Sequence, residues 1–338
     1  MSATRATMSD VAAEAGVSVP TVSKVLNGRA DVSESTRARV FKAMSSTGYL
    51  NRRLPGRDTS GLIDVVIDGI GTPWALEILR GAEEAAARRG SAVVVTSTMH
   101  DTFSMPAWLA RIAARRSDGV IFVLSRADHS EIEALRELHT PVVLLDPVGG
   151  TDPSLTSVGA TNWTGGFAAT EQLISLGHTR IGFIGGPPEL ECSRQRFEGY
   201  SAALRRAKLG VEPELVTHGE FMTPGGYAAG TLLLDLPDRP TAIFASSDLQ
   251  AAGVYEAARE RDVKIPSELS VVGFDDTAIC DYLSPSLTSV RQPLADMAAE
   301  AIRLIFELGD NPSSASGRRI ELATSLVVRD SATPLPAR

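Results

Sequence analysis

At 338 residues the chain is too long for one ordinary core; its length fits two domains, or one large domain with an appendage. With 43% hydrophobic and 22% charged residues, and with Gly and Pro dispersed, it is neither disordered nor collagen-like, and its apolar runs fall far short of the roughly 20 residues of a membrane helix. The net charge of −8 is unevenly spread: Met1 to Arg57 carries nine bases against four acids, leaving 24 of the 33 bases and 37 of the 41 acids for the rest, so a polyanion would bind the basic head and not the acidic body.

The head reads as three short helices. Ser9-Asp10 opens the first, Val11 to Ala15, and Gly16 closes it, because glycine tolerates the left-handed turn that follows a helix. Ser18 caps a second, Val19 to Asn27, with Pro20 in the first turn, where its missing N–H costs little. Gly28 ends it. A third runs from Glu34 to Thr47 behind Ser33, with Val40, Ala43 and Met44 on one face, and stops at Gly48. Two short helices around Gly16-Val17-Ser18, followed by a third, make a helix-turn-helix domain over 1–50, with a linker at 51–60.

Beyond Ser60 apolar runs alternate with helical stretches. Strands are expected near Leu62, Ala92, Gly119 and Pro141, and again near Arg180, Glu214, Thr241 and Leu269. Their spacing is that of a buried parallel strand plus a covering helix, repeated in two sets of four. Helices are expected at Pro73–Arg89, Thr164–Leu176, Arg194–Ala207, Leu249–Arg261 and Leu294–Leu308, with a strand before the last and two short apolar stretches after it. The body, 61–330, is therefore expected as two doubly wound α/β lobes: about 61–160 plus 288–318 in one, about 161–287 plus 319–330 in the other, and a tail at 331–338. Ligands bind beyond the carboxyl ends of such strands, so facing lobes imply a cleft.

Several segments resemble the LacI/GalR-type transcriptional repressor family. In the head these are Met8 to Ser18, Thr21 to Asn27, Val32 to Arg37 and Gly48-Tyr49. In the body they are Leu176 to Gly182, Ile184 to Pro187, Arg196 to Tyr200, Val271 to Asp276, Leu287 to Val290 and Gln292-Pro293. The resemblance covers nearly the whole chain. It implies a periplasmic-binding-protein-like effector domain behind the helix-turn-helix head, a homodimer, and a palindromic double-stranded operator.

For DNA contact the resemblance points to the second helix. Ser18 and Lys24 are candidates for direct contact, with Thr21, Ser23 and Asn27 beside them, and Arg29, Ser33 and Thr36 for phosphate contact; Ser33 is equally a helix cap. Val19 and Pro20 occupy the two base-reading positions; both are apolar and can touch a thymine methyl but cannot donate a hydrogen bond. Relatives usually carry a longer linker that folds into a hinge helix and wedges a leucine into the minor groove. Here Leu54 is followed at once by Pro55-Gly56, which disfavours a helix, so an extended basic arm is expected, with Arg52, Arg53 and Arg57 tracking the minor groove. A flexible tether is the alternative.

In the body, Trp74, Asp146, Arg196, Phe221, Ser247 and Asp275 fall just after expected strands or at helix starts, with Trp163 and His100 as weaker candidates. Arg196 and Asp275 match effector contacts in the family's pattern. A guanidinium fork and a carboxylate can grip vicinal hydroxyls while Trp and Phe cover a sugar ring, which favours a small carbohydrate, a mono- or oligosaccharide. No dinucleotide fingerprint, Walker loop, GxSxG or paired-histidine motif is present, so no enzyme activity and no cofactor is expected. Cys192 and Cys280 are too few for a disulfide framework or a metal cluster. Residues 1–10 lack the apolar stretch of a secretory signal, so the cytoplasm is the expected compartment. A transporter's solute-binding protein, a sugar-processing enzyme and a regulator controlled by a phosphocarrier protein remain alternatives to an inducible repressor.

Overall fold

A computed structural model describes residues 7–26, 32–47, 60–99, 103–123, 133–135, 137, 140–148, 154–311 and 317–335. The chain divides into two compact units, Met1–Thr59 and Ser60–Arg338.

The first unit is helical: α1 (Met8–Ala15), α2 (Val19–Leu26) and α3 (Glu34–Thr47). The cap of α1 is Thr7 rather than Ser9. Its hydroxyl accepts from the Asp10 amide, while the Asp10 carboxylate accepts from the Thr7 amide at 2.7 Å, so two otherwise orphaned donors are satisfied together. Gly16 takes φ +63°, the left-handed turn expected of it. Val11, Ala12, Ala15, Val22, Val25, Val40 and Ala43 form one small core between the three helices.

The second unit contains, among the described residues, two six-stranded sheets. The first runs β2 (Ala92–Ser97), β1 (Leu62–Ile67), β3 (Gly119–Val123), β4 (Val142–Leu145), β5 (Thr156–Ala160) and β11 (Arg319–Leu322), every neighbouring pair parallel. The second runs β7 (Val216–His218), β6 (Ile181–Gly185), β8 (Ala242–Ala245), β9 (Ser270–Asp275), β10 (Thr288–Arg291) and β12 (Ser325–Val327), parallel except for the antiparallel β12. The covering helices are α4 (Pro73–Arg88), α5 (Met105–Arg115), α6 (Asn162–Ser175), α7 (Glu191–Arg206), α8 (Thr223–Leu234), α9 (Asp248–Glu260), the short α10 (Ile279–Tyr282) and α11 (Leu294–Asp310). Both expected doubly wound lobes are present.

Their boundaries differ from expectation at the C-terminal end. Strand β10, expected in the first lobe, pairs with β9 in the second, and β11, expected in the second, pairs with β5 in the first. Of the 288–318 segment, α11 lies where expected, its Met297, Ala301, Ile302 and Ile305 packed with Ile63, Ile121 and Val143 of the first sheet. The chain thus passes between lobes three times, at 160–162, 291–294 and 322–325. The first and third crossings are tied together: the Thr161 amide donates to Leu322 O at 3.0 Å and the Thr324 amide to Thr161 Oγ1 at 2.9 Å. Residues 331–335 are not a loose tail. Buried Ser331 accepts from the Thr288 amide at 2.8 Å and donates to Val271 O at 2.6 Å, and the Leu335 amide donates to Leu176 O.

Candidate functional site: recognition helix and interlobe cleft

On α2 the period of 3.6 residues separates two faces. Val22 and Val25 are buried, whereas Ser18, Val19, Pro20 and Lys24 are exposed, with Thr21 and Ser23 half-buried between them. Ser18 accepts from the Thr21 amide at 3.3 Å, and Ser33 does the same for the Thr36 amide at the start of α3. Both serines are therefore caps, and each also bonds the hydroxyl of its threonine, at 2.8 and 2.9 Å. The exposed, uncapped edge of α2 is an apolar Val-Pro pair with Lys24 one turn on. Asn27, Arg29, Arg52, Arg53, Leu54 and Arg57 lie outside the described residues, as does His100.

Between the two lobes of the second unit lies a cavity of about 840 Å³. The first lobe contributes Asp68, Trp74, Thr98, Met99, Asp146 and Val148; the second contributes Leu190, Arg196, Phe221, Met222, Ser247, Asp248 and Asp275. Six of the eight expected effector residues therefore converge on one space. Trp163 does not: it is 43% exposed and stacks on Phe167 at 5.3 Å. Its neighbour Asn162 is the buried one, because adjacent helical residues point about 100° apart.

Arg196 is the hub. It is 3% exposed; its Nε donates to Asn162 Oδ1 at 2.8 Å, its Nη1 donates to Ser246 O at 2.5 Å, and its plane lies 3.8 Å from the Phe274 ring centre. Phe221 sits at 5.4 Å on the cavity side. Two glycines put this hub in reach of Asn162. A Cβ on Gly166 of α6 would lie 2.3 Å from Arg196 O, and one on Gly199 of α7 would lie 2.2 Å from Trp163 O, so α6 and α7 pack backbone to backbone.

Two carboxyls, Asp275 and Asp146, feel the charge of the guanidinium, and a third, Asp248, interacts with Asp275. Asp275 Oδ1 lies 3.9 Å from Arg196 Nη1 and accepts from Gln292 Nε2 at 2.6 Å. Asp248 is fixed by the Thr277 amide at 2.7 Å and the Thr277 and Ser289 hydroxyls at 2.9 and 2.5 Å. Asp146 sits just past β4 with φ +50°. Burial pushes Asp275 well above the usual carboxylate range; Arg196 opposes this and the negative charge of Asp248 adds to it. Burial likewise raises Asp146, against Arg196 and Asn162, and lifts Asp248 to about 6 against its hydrogen bonds. The Cys192 thiol, also on the wall, is pushed up to about 12 by burial and is chemically quiet. Ser247 caps α9 through the Gln250 amide at 3.1 Å and donates to Phe221 O at 2.9 Å, which anchors that aromatic at the rim.

This pairing of a helix-turn-helix head with a two-lobed body that holds a cavity between its lobes has relatives. Residues 7–51 match the family described as bacterial regulatory proteins, lacI family, and residues 170–332 match a periplasmic binding protein-like domain. The HTH-type transcriptional repressor CytR of Escherichia coli (strain K12) is 35% identical over 337 residues, covering 98% of each chain. The chain belongs to the LacI family. The ribose operon repressor of Escherichia coli (strain K12) is 33% identical over 334 residues, covering 97% of this chain and 100% of its own. The transcriptional regulator CelR, solved in complex with cellobiose, superposes with a TM-score of 0.74 at 32% identity, covering 97% of this chain and 100% of that one. This LacI-family protein is accordingly a sequence-specific DNA-binding transcriptional regulator whose activity an effector modulates. Among its described residues no helix is long and apolar enough to cross a membrane.

Asn162 and Asp248 were not legible as site residues from the sequence. Asn162 sits at a crossing whose existence depends on the pairing of β5, and Asp248 is one residue beyond the expected Ser247. The nearest signal for either is a polar residue immediately after a short apolar strand.

Proposed function

We propose that this regulator is a homodimeric, non-catalytic repressor released from a palindromic operator by a small carbohydrate bound between its lobes. The observation that carries the reading is the composition of the cavity wall. Trp74 and Phe221 offer flat apolar faces from opposite lobes, while Arg196 and Asp275 offer a donor fork and an acceptor for neighbouring hydroxyls. CelR, a relative solved in complex with cellobiose, supports a sugar as the effector.

The mechanism follows from the crossings. A ligand that touches Trp74 or Asp146 in one lobe and Arg196 or Asp275 in the other stabilises one interlobe angle over others. Asn162 and Gln292, which hold Arg196 and Asp275, stand at the first and second crossings, so occupancy is felt at the pivots. A coupling of about 1–3 kcal/mol between effector and operator is the usual scale for such a linkage. In a dimer, the altered angle changes the spacing of two heads on two half-sites.

The test is a thermal-shift screen of the full chain with mono- and disaccharides, cellobiose and ribose among them, followed by operator titration with each compound that raises the melting temperature. A sugar that stabilises the protein and weakens operator binding supports the reading. Absence of any sugar that does so overturns it.

A further inference from the structure

The charge of the cleft has a bearing on which sugars it accepts. Among the described residues that line it, the acids are Asp68, Asp146, Glu189, Glu220, Asp248 and Asp275, and the one base is Arg196. That base is partly committed: two of its N–H groups are taken by Asn162 and Ser246 O, one face is covered by Phe274, and Asp275 lies at 3.9 Å, which leaves its remaining donors for the ligand. Asp68, Glu189 and Glu220 stand exposed at the mouth, while Asp146, Asp248 and Asp275 are buried at the back. An anion entering this space meets the carboxylates of the rim and then, at the back, three carboxyl groups and a guanidinium with two of its N–H groups already used. Neutral hydroxyls meet carboxyl acceptors at the rim and at the back.

We propose that the cleft selects uncharged polyol ligands and excludes anionic ones, so that sugar phosphates and sugar acids are rejected in favour of their neutral parents. This rests on the interlobe cleft being the effector site and names the ligand class within it. Size points the same way: about 840 Å³ leaves room for more than one sugar ring, so discrimination against a phosphate is electrostatic and not steric.

The experiment is calorimetric titration of the full chain with matched pairs: cellobiose and cellobionate, ribose and ribose 5-phosphate, glucose and glucose 6-phosphate, cytidine and cytidine monophosphate. The expected result is that the neutral member of at least one pair binds and its anionic partner binds at least 100-fold more weakly, a gap that shrinks as salt is raised. The triple variant Asp68→Asn, Glu189→Gln, Glu220→Gln touches only exposed rim side chains and is expected to narrow the gap several-fold. An anion that binds as well as its neutral parent, or better, overturns the charge rule while leaving the carbohydrate reading intact. Binding of cytidine alone, with its phosphate excluded, upholds the charge rule and sinks the carbohydrate reading. Failure of all eight compounds to bind overturns both.

Discussion

Replacing Asp275 by Asn separates what this side chain costs from what it does. Its carboxyl is buried beside Asp248, and its ionised form is offset only by Arg196 at 3.9 Å and one hydrogen bond from Gln292. A carboxyl whose folded pKa lies above its unfolded one favours the folded state at low pH, and that contribution is lost as the group is made to ionise. Asn keeps the shape, still accepts from Gln292, and never ionises. We therefore expect Asp275→Asn to raise the melting temperature of the ligand-free protein at neutral pH, by about 2–4 °C for each kcal/mol relieved in a unit of this size. Effector binding should move the other way. Losing one carboxyl oxygen as acceptor for a ligand hydroxyl removes about 0.5–1.5 kcal/mol, a weakening of roughly 2- to 13-fold. Operator binding without effector should be unchanged, because the residue belongs to the second unit. Melting curves, sugar titration and operator titration on the same preparation read all three. A variant that melts lower and yet releases the operator at the normal sugar concentration would refute both the electrostatic account and the assignment of Asp275 to the effector.

Arg196→Ala should unfold more easily, by about 3–5 kcal/mol in denaturant titration, because it leaves Asp275 and Asp146 without their cation, and it should abolish the response to effector. Asp248 moves from an ordinary 3.8 to about 6, so its protonated form favours the folded body below about pH 4 and this contribution, on the order of 3 kcal/mol, disappears as pH rises through about 6; melting followed from pH 5 to 7 should fall more steeply in the parent than in Asp248→Asn. Gly166→Ala should destabilise the body by about 1–3 kcal/mol and weaken effector binding, measured by denaturant and sugar titration, since its Cβ would meet the Arg196 backbone at 2.3 Å. Arg52→Ala with Arg53→Ala should weaken operator binding far more than Leu54→Ala and flatten its salt dependence; the reverse order in gel-shift titration would favour a leucine wedge over a basic arm.

Much of this architecture is legible in the sequence, and what is not has identifiable causes. The apolar runs at Leu62, Gly119 and Pro141 lead within a residue into strands buried between neighbours, which must be largely apolar, and the run at Ala92 leads into the edge strand β2, which is half-exposed. Strand β5, Thr-Ser-Val-Gly-Ala, escapes the same rule: two small polar residues and a glycine give no run to see, yet neighbours on both sides bury it. The lobe assignment of β10 and β11 fails for a different reason. Both are short strands near the end of the chain: β11 joins its sheet by backbone pairing across about 160 residues, from Arg319 to Ser157, which no local pattern encodes, while β10 stays with its sequence neighbour β9, Thr288 opposite Val272. In the site, Arg196 and Asp275 stand out because family motifs surround them. Trp163 is a weaker candidate beside Asn162, and helical phase turns it outward and Asn162 inward.

The three crossings also decide how the body comes apart. Each sheet takes an edge strand from the last part of the chain, β11 in one and β12 in the other, with only Ala323 and Thr324 between them, and α11 roofs the first sheet after β10 has been laid in the second. Neither lobe is a continuous segment that could be cut out whole. A chain ending at Leu287 would strip one lobe of Met297, Ala301, Ile302 and Ile305 and leave both sheets with a raw edge. The lobes are therefore interleaved like two halves stitched with one thread, and heat or a protease should open them in a single transition, while the helical head, with its own small core, melts on its own schedule.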